Sequence, residues 1–244
     1  MNKKTICITG ASRGIGRAIA HRFAKEGYHI IINCKHSKDA LYELKSQLES
    51  LYPVTCLASV GDVGDEAYIT QLFSQIENTY GTLDLLINNA GISMTGLLSD
   101  MSFQEWNHLI NTNLSSVFLC SKAALGLMLP LKAGRILNIS SVWGSTGASC
   151  EVAYSAAKGG VNAFTKALSK ELAPSGISVN AIACGLIDTE MNTHLSKEEY
   201  AALAEEIPFG RPGTAEEVAD LAYTLSSSSP YLTGQIVTLD GGWR

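Results

Sequence analysis

The sequence predicts an α/β fold: a single domain built on a doubly wound, seven-stranded parallel sheet with helices on both faces. Short apolar runs alternate along the chain with longer segments of helical periodicity, as in consecutive βαβ units. Runs such as H-I-I-I-N at 29–33 are apolar almost throughout, which is typical of parallel strands that are covered on both faces. The 244 residues contain no Pro-, Gly- or Ser-rich linker that would divide them into two domains.

The elements follow in a regular order. Apolar runs bounded by turn residues predict strands at 5–9, 29–33, 54–59, 83–88, 135–140, 177–182 and 235–239. Apolar residues at helical spacing predict helices at 14–26, 38–50, 65–79, 103–129, 151–173 and 215–226. An insertion at about 184–213 separates the sixth strand from the last helix. Because loops this long in compact domains are usually functional, we expect a mobile flap over a ligand site at the carboxyl ends of the strands.

Composition narrows the class of protein. A hydrophobic fraction of 46% and a charged fraction of 17% are typical of a globular chain. The net charge of −5 argues against a nucleic-acid partner, and no apolar run reaches the roughly 18 residues of a membrane helix. Six cysteines without C-x-x-C spacing and five unclustered histidines predict reduced thiols and no metal site. A strand-like run follows M-N-K-K directly, so we expect no signal peptide and a cytoplasmic protein.

The first strand leads into a glycine-rich turn, T-G-A-S-R-G-I-G at 9–16, and then into a helix. Glycines at this point permit a tight turn and let a pyrophosphate approach the N–H groups at the start of the helix. The G-x-x-x-G-x-G spacing differs from the G-x-G-x-x-G of many dinucleotide sites, and a simple strand-to-helix connection is the alternative. The candidate cofactor-binding residues of this turn are Gly10, Ser12, Arg13, Gly14, Ile15 and Gly16.

The end of the second strand indicates which dinucleotide is bound. An NAD site commonly places an acid about 20 residues after the glycines, where it binds the ribose 2′-hydroxyl. Here the stretch N-C-K-H-S at 33–37 has no acid and contains Lys35. A carboxylate would repel a 2′-phosphate, whereas Lys35 and Arg13 would attract it. The sequence therefore favours NADP(H), the alternative being that Lys35 is an ordinary solvated lysine.

Tyr154 and Lys158 stand four residues apart in Y-S-A-A-K, within the helix predicted at 151–173. Residues i and i+4 share a helix face, so the phenol would lie beside an ammonium group. The positive charge is expected to lower the pKa of the Tyr154 phenol, which is about 10 when unperturbed. Such a tyrosine can exchange protons as a general acid or base. Taken alone, the pair equally fits a solvated helix face.

These motifs occur together and in order: G-A-S-R-G-I-G, N-N-A-G at 88–91, Ser141, Y-S-A-A-K and the closing L-T-G-Q-I-V-T-L-D-G-G-W. In this combination the chain resembles the short-chain dehydrogenase/reductase family, of the NADP-preferring type, over essentially its whole length. Within the family it is most similar to the 3-oxoacyl-[acyl-carrier-protein] reductases. The resemblance implies one Rossmann-type NADP-binding domain spanning 1–244.

The resemblance also implies a catalytic tetrad. Tyr154 would protonate the substrate carbonyl oxygen, and Lys158 would lower the pKa of Tyr154 and hold the nicotinamide ribose. Ser141, rather than its neighbour Ser140, would hydrogen-bond the substrate oxygen, because it stands thirteen residues before Tyr154 as in the family pattern. Asn113 would support a water that relays protons to Lys158. The further cofactor contacts implied are Asp62, Val63, Asn89, Ala90, Gly91, Ile187 and Thr189.

The chain departs from the family pattern at two places. Cys184-Gly185 stands where Pro-Gly is usual, which predicts a freer backbone near the nicotinamide and, if Cys184 is exposed, an oxidisable thiol. Ser175 stands where carrier-dependent members commonly have a basic residue, although Lys132 and Lys170 fit a basic docking surface. The second departure weakens the expectation of an acyl-carrier partner and leaves the expected reductase chemistry unchanged.

The expected function is NADPH-dependent reduction of a 3-oxoacyl-[acyl-carrier-protein] in fatty acid biosynthesis, a part of lipid metabolism, by a homotetramer. One alternative is a short-chain ketoreductase or alcohol dehydrogenase acting on acetoacetyl-CoA, a steroid, a sugar or another small ketone. Another is a cofactor-binding protein without turnover. The flap is expected to decide the substrate, and its apolar residues Met191, Leu195, Tyr200 and Phe209 suit an acyl chain or a ring system.

Overall fold

A computed structural model describes residues 3–193 and 196–244. Within these residues the strands are β1 (Thr5–Ile8), β2 (His29–Cys34), β3 (Cys56–Val60), β4 (Leu85–Asn88), β5 (Gly134–Ser141), β6 (Ile177–Cys184) and β7 (Ile236–Leu239). They form one parallel sheet in the order β3-β2-β1-β4-β5-β6-β7. The direction of winding reverses between β1 and β4, which is where ligands bind in such sheets. The predicted α/β fold class is confirmed.

Helices cover both faces of the sheet. They are α1 (Gly14–Lys25), α2 (Lys38–Leu51), α3 (Glu66–Tyr80), α4 (Phe103–Ile110), α5 (Ser116–Met128), α6 (Trp143–Thr146), α7 (Val152–Leu172), α8 (Lys197–Glu205) and α9 (Ala215–Ser227). Helices α1, α2 and α9 pack on one face, and α3, α5 and α7 pack on the other. Alternation within β1 feeds both cores, because Ile6 and Ile8 point to the first and Cys7 to the second.

The predicted helix at 103–129 is in fact two helices separated by a π-helical turn at Asn111–Ser115. The side chain of Asn113, in the middle of this turn, is 1% exposed. Its Nδ2 donates to the carbonyl of Ile92 at 2.8 Å, and its Oδ1 accepts from the N–H of Ile92 at 2.8 Å. Single π turns inside α-helices often occur at functional sites. The apolar pattern on both sides of Asn113 runs on without a break, which is why periodicity alone missed the turn.

The described residues of the expected flap at 184–213 include regular secondary structure. The flap contains a 3₁₀ turn, Glu190–Asn192, and the helix α8, which begins with a capping box formed by Ser196 and Glu199. The two ends of the flap are tied together, because the N–H of Asp188 donates to the Gly213 carbonyl at 2.8 Å. Leu195, one of the apolar residues assigned to the flap, lies outside the described residues.

Within the described ranges, no helix is both long and apolar enough to span a bilayer. The same ranges contain no group of three or more His, Cys, Asp or Glu side chains that could hold a metal ion. All six cysteines lie in the described part of the chain and are free thiols. Cys150 is partly exposed and the other five are buried, so desolvation raises the pKa of Cys7 and of Cys56 to about 12.

Candidate active site

Two adjoining cavities open at the carboxyl ends of the strands. The glycine-loop cavity, of about 440 Å³, is lined by the turn that follows β1 and by the end of β2. The tyrosine cavity, of about 520 Å³, is lined by the end of β5, by Tyr154 and Lys158 of α7, and by the flap. Both volumes are those of small-molecule sites. The residues that line both cavities, and so connect them, are Ile15, Asn89, Gly91, Ser93, Thr189 and Met191.

The glycine turn fits a dinucleotide. Gly10 and Gly14 have φ values of +64° and +52°, a region that L side chains rarely adopt. A Cβ on Gly16 would lie 2.5 Å from the Gly10 carbonyl oxygen, so the turn can close only with glycine there. The first turn of α1 contains no acid, and its N-cap residue, Arg13, makes no capping bond within the described residues. The N–H groups at this helix start are therefore suited to a pyrophosphate.

The N-N-A-G segment after β4 is held against the glycine turn. Nδ2 of Asn89 donates to the carbonyls of Thr9 and Gly10, both at 2.9 Å. The hydroxyl of Thr9 accepts from the N–H groups of Asn89 and Ala90, both at 3.0 Å. Asn89, expected as a cofactor contact, thus also fixes the two loops to each other. It lines both cavities, as Gly91 does, while Ala90 lines the glycine-loop cavity.

Lys35 and Asp62, both expected to contact the cofactor, pair with each other across the glycine-loop cavity. Nζ of Lys35 lies 2.7 Å from Oδ2 of Asp62, a pairing that the sequence did not suggest. Burial raises the pKa of Asp62, but hydrogen bonds from Lys35 and from the N–H of Gly64 outweigh it and hold this pKa below its ordinary value. Ser12, Arg13 and Val63, which were also predicted to contact the cofactor, line the same cavity.

Asn33 is a residue of this cavity that sequence reasoning did not single out. It is 1% exposed at the end of β2, and its Oδ1 accepts from the N–H of Gly10 at 3.4 Å. Its Nδ2 donates to the hydroxyl of Tyr68 at 2.8 Å and to the carbonyl of Gly61 at 3.0 Å. A polar residue closing the apolar run I-I-I-N was the available signal, because buried amides need hydrogen-bond partners.

In the tyrosine cavity, the structure brings Ser141 to Tyr154. Both hydroxyls line this cavity, and hydrogen bonding to Ser141 acts to lower the pKa of Tyr154. The Ser141 Oγ also accepts from the N–H of Trp143 at 3.2 Å. Ser140 turns the other way, and its Oγ donates to Oδ1 of Asn162 at 2.7 Å. Both serines line the tyrosine cavity, but the Ser140 hydroxyl is engaged with Asn162, and the choice of Ser141 stays a prediction.

Lys158 lies between the phenol and the central sheet. Its Nζ donates to the Ile139 carbonyl at 2.7 Å and stands 5.6 Å from the centre of the Tyr154 ring. A Cβ built on Gly91 would lie 3.4 Å from Oδ1 of Asn113 and 3.7 Å from Nζ of Lys158. The π turn therefore brings Asn113 to the same place as the ammonium group. All four residues of the expected tetrad come together.

The electrostatics of this cluster differ from the sequence-based expectation. Burial raises the pKa of Tyr154 well above its ordinary value, and the neighbouring Cys184 and Glu151 raise it further. The hydrogen bond with Ser141 acts in the opposite direction and is weaker. Burial also lowers the pKa of Lys158 to about 8. The expectation that Lys158 lowers the pKa of Tyr154 is wrong for this structure, because desolvation dominates both groups.

Cys184 neither loosens the backbone nor offers an exposed thiol. It ends β6 in register with Ser141 on one side and Leu239 on the other, so its backbone is held by both neighbouring strands. Burial raises the pKa of its thiol to about 12, although Lys158 acts to lower it. Cys184 therefore contributes a neutral, buried wall beside Lys158. Ile187 and Thr189, at the start of the flap, also line the tyrosine cavity, and their contact with the cofactor stays a prediction.

The residues of the tyrosine cavity that sequence reasoning missed include Trp143, Glu206, Trp243 and Arg244. They come from α6, from the end of the flap and from the segment after β7, which are far apart in the sequence. No spacing rule connects such positions. The available signal was chemical, because tryptophans beside catalytic positions or sheet ends often line ligand sites.

Known proteins resemble this chain over nearly its whole length. A family model described as short chain dehydrogenase matches residues 4–200. The chain is 38% identical to an uncharacterized oxidoreductase, YmfI, of Bacillus subtilis (strain 168), over 99% of each chain. It is also 38% identical to the 3-oxoacyl-[acyl-carrier-protein] reductase FabG of Staphylococcus aureus (strain N315), over 98% of this chain and 97% of the relative. The identity to FabG of Escherichia coli (strain K12) is 39%, over 98% and 96%.

Proposed function

The chain belongs to the short-chain dehydrogenase family of oxidoreductases, and from that premise we propose that it reduces a 3-oxoacyl thioester with NADPH. The preferred substrate would be a 3-oxoacyl-[acyl-carrier-protein], as the names of the FabG relatives indicate for those proteins, which would give the chain a role in fatty acid biosynthesis. One observation carries the proposal: Ser141, Tyr154 and Lys158 line a cavity that continues into the glycine-loop cavity, and Asn113 lies behind Gly91 close to Lys158. A reductase needs this continuity, because cofactor and substrate must touch.

Bound in the glycine-loop cavity, NADPH would supply the hydride for the substrate carbonyl carbon. Negative charge then develops on the carbonyl oxygen, where the Ser141 and Tyr154 hydroxyls act as donors fixed in advance. The high pKa of Tyr154 keeps the phenol protonated at neutral pH, which suits a proton donor. The product is the corresponding 3-hydroxyacyl thioester.

Lys158 and Asn113 act behind the phenol. Lys158, with a pKa lowered to about 8, can donate a proton toward Tyr154 more readily than an ordinary lysine. Asn113 is held rigid by its two bonds to the Ile92 backbone, beside Gly91 and the lysine. That position suits the proposed support of a water through which Lys158 is reprotonated.

NADPH is proposed over NADH because of the charges at the end of β2. Replacing Lys35 with alanine is expected to raise the KM for NADPH by about 10- to 100-fold, since hydrogen bonds to charged groups contribute about 1.5–3 kcal/mol. The KM for NADH should change less than about threefold, because NADH carries no 2′-phosphate. Steady-state kinetics with both cofactors measures this difference.

The matched control is Lys38→Ala, which removes a nearby lysine at the start of α2 that does not line the cavity. It should leave both KM values near those of the wild type. Equal losses for NADPH and NADH in Lys35→Ala would contradict the 2′-phosphate contact and leave the ion pair with Asp62 as the role of Lys35.

The substrate is tested by following NADPH oxidation with acetoacetyl-CoA, with a 3-oxoacyl-carrier-protein and with small ketones. Faster turnover of the carrier-bound substrate is expected. Ser175 favours the small-ketone alternative, because it ends the 3₁₀ turn Ala173–Ser175 where a basic docking residue would otherwise stand. Lys132 and Lys170 are exposed and supply positive charge for an acidic carrier. Reduction of ketones without reduction of either thioester would overturn the proposal.

Assembly into a homotetramer is proposed from the exposed apolar side chains of the outer helices. Phe103 on α4 is 72% exposed, Phe118 on α5 is 48% exposed and Val152 at the start of α7 is 43% exposed. Exposed apolar residues of this size are typical of protein–protein contacts when they cluster. Light scattering that gives the mass of a single chain would contradict the tetramer.

A further inference from the structure

Two tryptophans and an arginine form one wall of the tyrosine cavity. Trp143 begins α6, and Trp243 and Arg244 follow β7. The two tryptophan rings meet edge to face, with centroids 5.1 Å apart. The guanidinium carbon of Arg244 lies 4.3 Å from the centre of the Trp243 ring and 5.2 Å from that of Trp143. We refer to these three residues as the Trp–Arg wall.

The wall is anchored at its base. Trp243 is 8% exposed and belongs to a small apolar cluster with Val142 and Ile207. The N–H of Trp143 donates to the Oγ of Ser141, so the wall begins next to a proposed catalytic hydroxyl. A large aromatic surface held in this way presents a fixed shape, because its two side-chain torsions are already restrained.

Glu206, at the end of α8, fastens the flap to the wall. Its Oε2 accepts from Nε1 of Trp243 at 3.1 Å and from a guanidinium nitrogen of Arg244 at 2.9 Å. The bond from Trp243, followed by that from Arg244, holds the pKa of Glu206 below its usual range. Close by, the N–H of Phe209 donates to the Gly241 carbonyl at 3.1 Å. The last part of the flap and the segment after β7 therefore form one connected surface.

We propose that the Trp–Arg wall, fastened by Glu206, limits the substrate to a short acyl chain. This inference rests on the proposed function, because it concerns the 3-oxoacyl group reduced at Tyr154. The bulky side chains of the wall fill one side of the tyrosine cavity. Smaller residues would leave that side open to further methylene groups of the acyl chain. Each additional methylene that becomes buried increases the binding affinity about fourfold. Replacing a wall residue with a smaller one should therefore strongly favour longer acyl chains.

The test measures kcat/KM for acetoacetyl-CoA and for 3-oxodecanoyl-CoA in the wild type and in Trp243→Ala. The wild type should prefer the four-carbon chain, and Trp243→Ala should shift the ratio toward the ten-carbon chain by at least about tenfold. Trp243→Phe should restore most of the wild-type ratio, because it rebuilds an aromatic wall. The control Tyr231→Ala removes an aromatic side chain that is 96% exposed, and it should not change the ratio.

Trp243 is buried, so Arg244→Ala provides a second variant that leaves the apolar cluster in place. It should shift the same ratio in the same direction by about threefold, because the guanidinium lies over both tryptophan rings and adds to the bulk of the wall. An unchanged chain-length profile in both Trp243→Ala and Arg244→Ala would overturn the inference. So would a wild type that prefers the ten-carbon chain.

A parallel series separates this inference from the proposed function. The same variants are assayed with ethyl 3-oxoesters of four and ten carbons and tested for binding of 3-hydroxyacyl-CoA products by the shift in Tm. Reduction of the oxoesters without reduction of the thioesters would overturn the proposed substrate. The ratio of kcat/KM between the four-carbon and ten-carbon esters would still show whether the wall limits chain length. If the protein turns over neither series, the affinities for the four-carbon and ten-carbon 3-hydroxyacyl-CoA products are compared instead. Equal affinity ratios in the wild type and the variants would then refute the proposed limit on chain length.

Discussion

Tyr154→Phe is expected to lower kcat at least about a thousandfold while the Kd for NADPH stays within about twofold of the wild type. General acids contribute about 10²–10⁴ to the rate, and this change also removes a donor to the developing oxyanion. The aromatic ring remains, so its packing on Leu109 and Ala157 remains as well. The loss therefore reports on the hydroxyl alone, which contacts Ser141 in the tyrosine cavity.

Two measurements check this result: turnover of acetoacetyl-CoA, and NADPH binding followed by cofactor fluorescence. Tyr42→Phe is the matched control, because Tyr42 lies on α2, is 45% exposed and does not line either cavity. It should keep full activity. Turnover of Tyr154→Phe within tenfold of the wild type would remove Tyr154 from the role of proton donor.

Much of this site could be predicted because it depends on local rules. The glycine turn follows from the φ values that Gly10 and Gly14 adopt, and a strand-to-helix context reveals such turns. Tyr154 and Lys158 share a helix face by spacing alone. The carboxyl ends of parallel strands meet at one edge, so the end of β5 had to lie near these loops.

What sequence reasoning missed depends on tertiary contacts. Lys35 and Asp62 were each assigned to the cofactor, and only the approach of the ends of β2 and β3 shows that they pair. The direction of the pKa shift of Tyr154 depends on how deeply the phenol is buried, and helix spacing carries no information about depth. The Trp–Arg wall and Glu206 together come from three segments distant in the chain, and no short-range pattern connects them.

Lys158→Met is expected to abolish turnover and, at pH 7, to increase the free energy of unfolding. Burial lowers the pKa of Lys158 from 10.5 to about 8, so the folded state opposes the charged form. At about 1.4 kcal/mol per pKa unit, this opposition is on the order of 3 kcal/mol below pH 8. Methionine has no charge to desolvate, but it leaves the Ile139 carbonyl without its 2.7 Å donor, a loss of about 1 kcal/mol. The net gain should be on the order of 1–3 kcal/mol.

Because the pKa of Lys158 is lowered in the folded state, the stability difference between Lys158→Met and the wild type should depend on pH. Below pH 8, Lys158 is protonated in both folded and unfolded states, and its destabilising contribution is fully present. Between pH 8 and 10.5 the unfolded chain binds the extra proton, so the wild type gains stability as the pH rises and the advantage of Lys158→Met shrinks. Urea unfolding at pH 7 and pH 10 measures the two differences. Lys166→Met, an exposed lysine on the same helix, should show no such difference at either pH. Two results would contradict this prediction: a Lys158→Met variant that is less stable than the wild type at pH 7, or one whose gain in free energy of unfolding is the same at both pH values. Either would mean that the folded state does not disfavour the charged form of Lys158. The proposed proton relay relies on the lowered pKa of Lys158, so it would then have no physical basis.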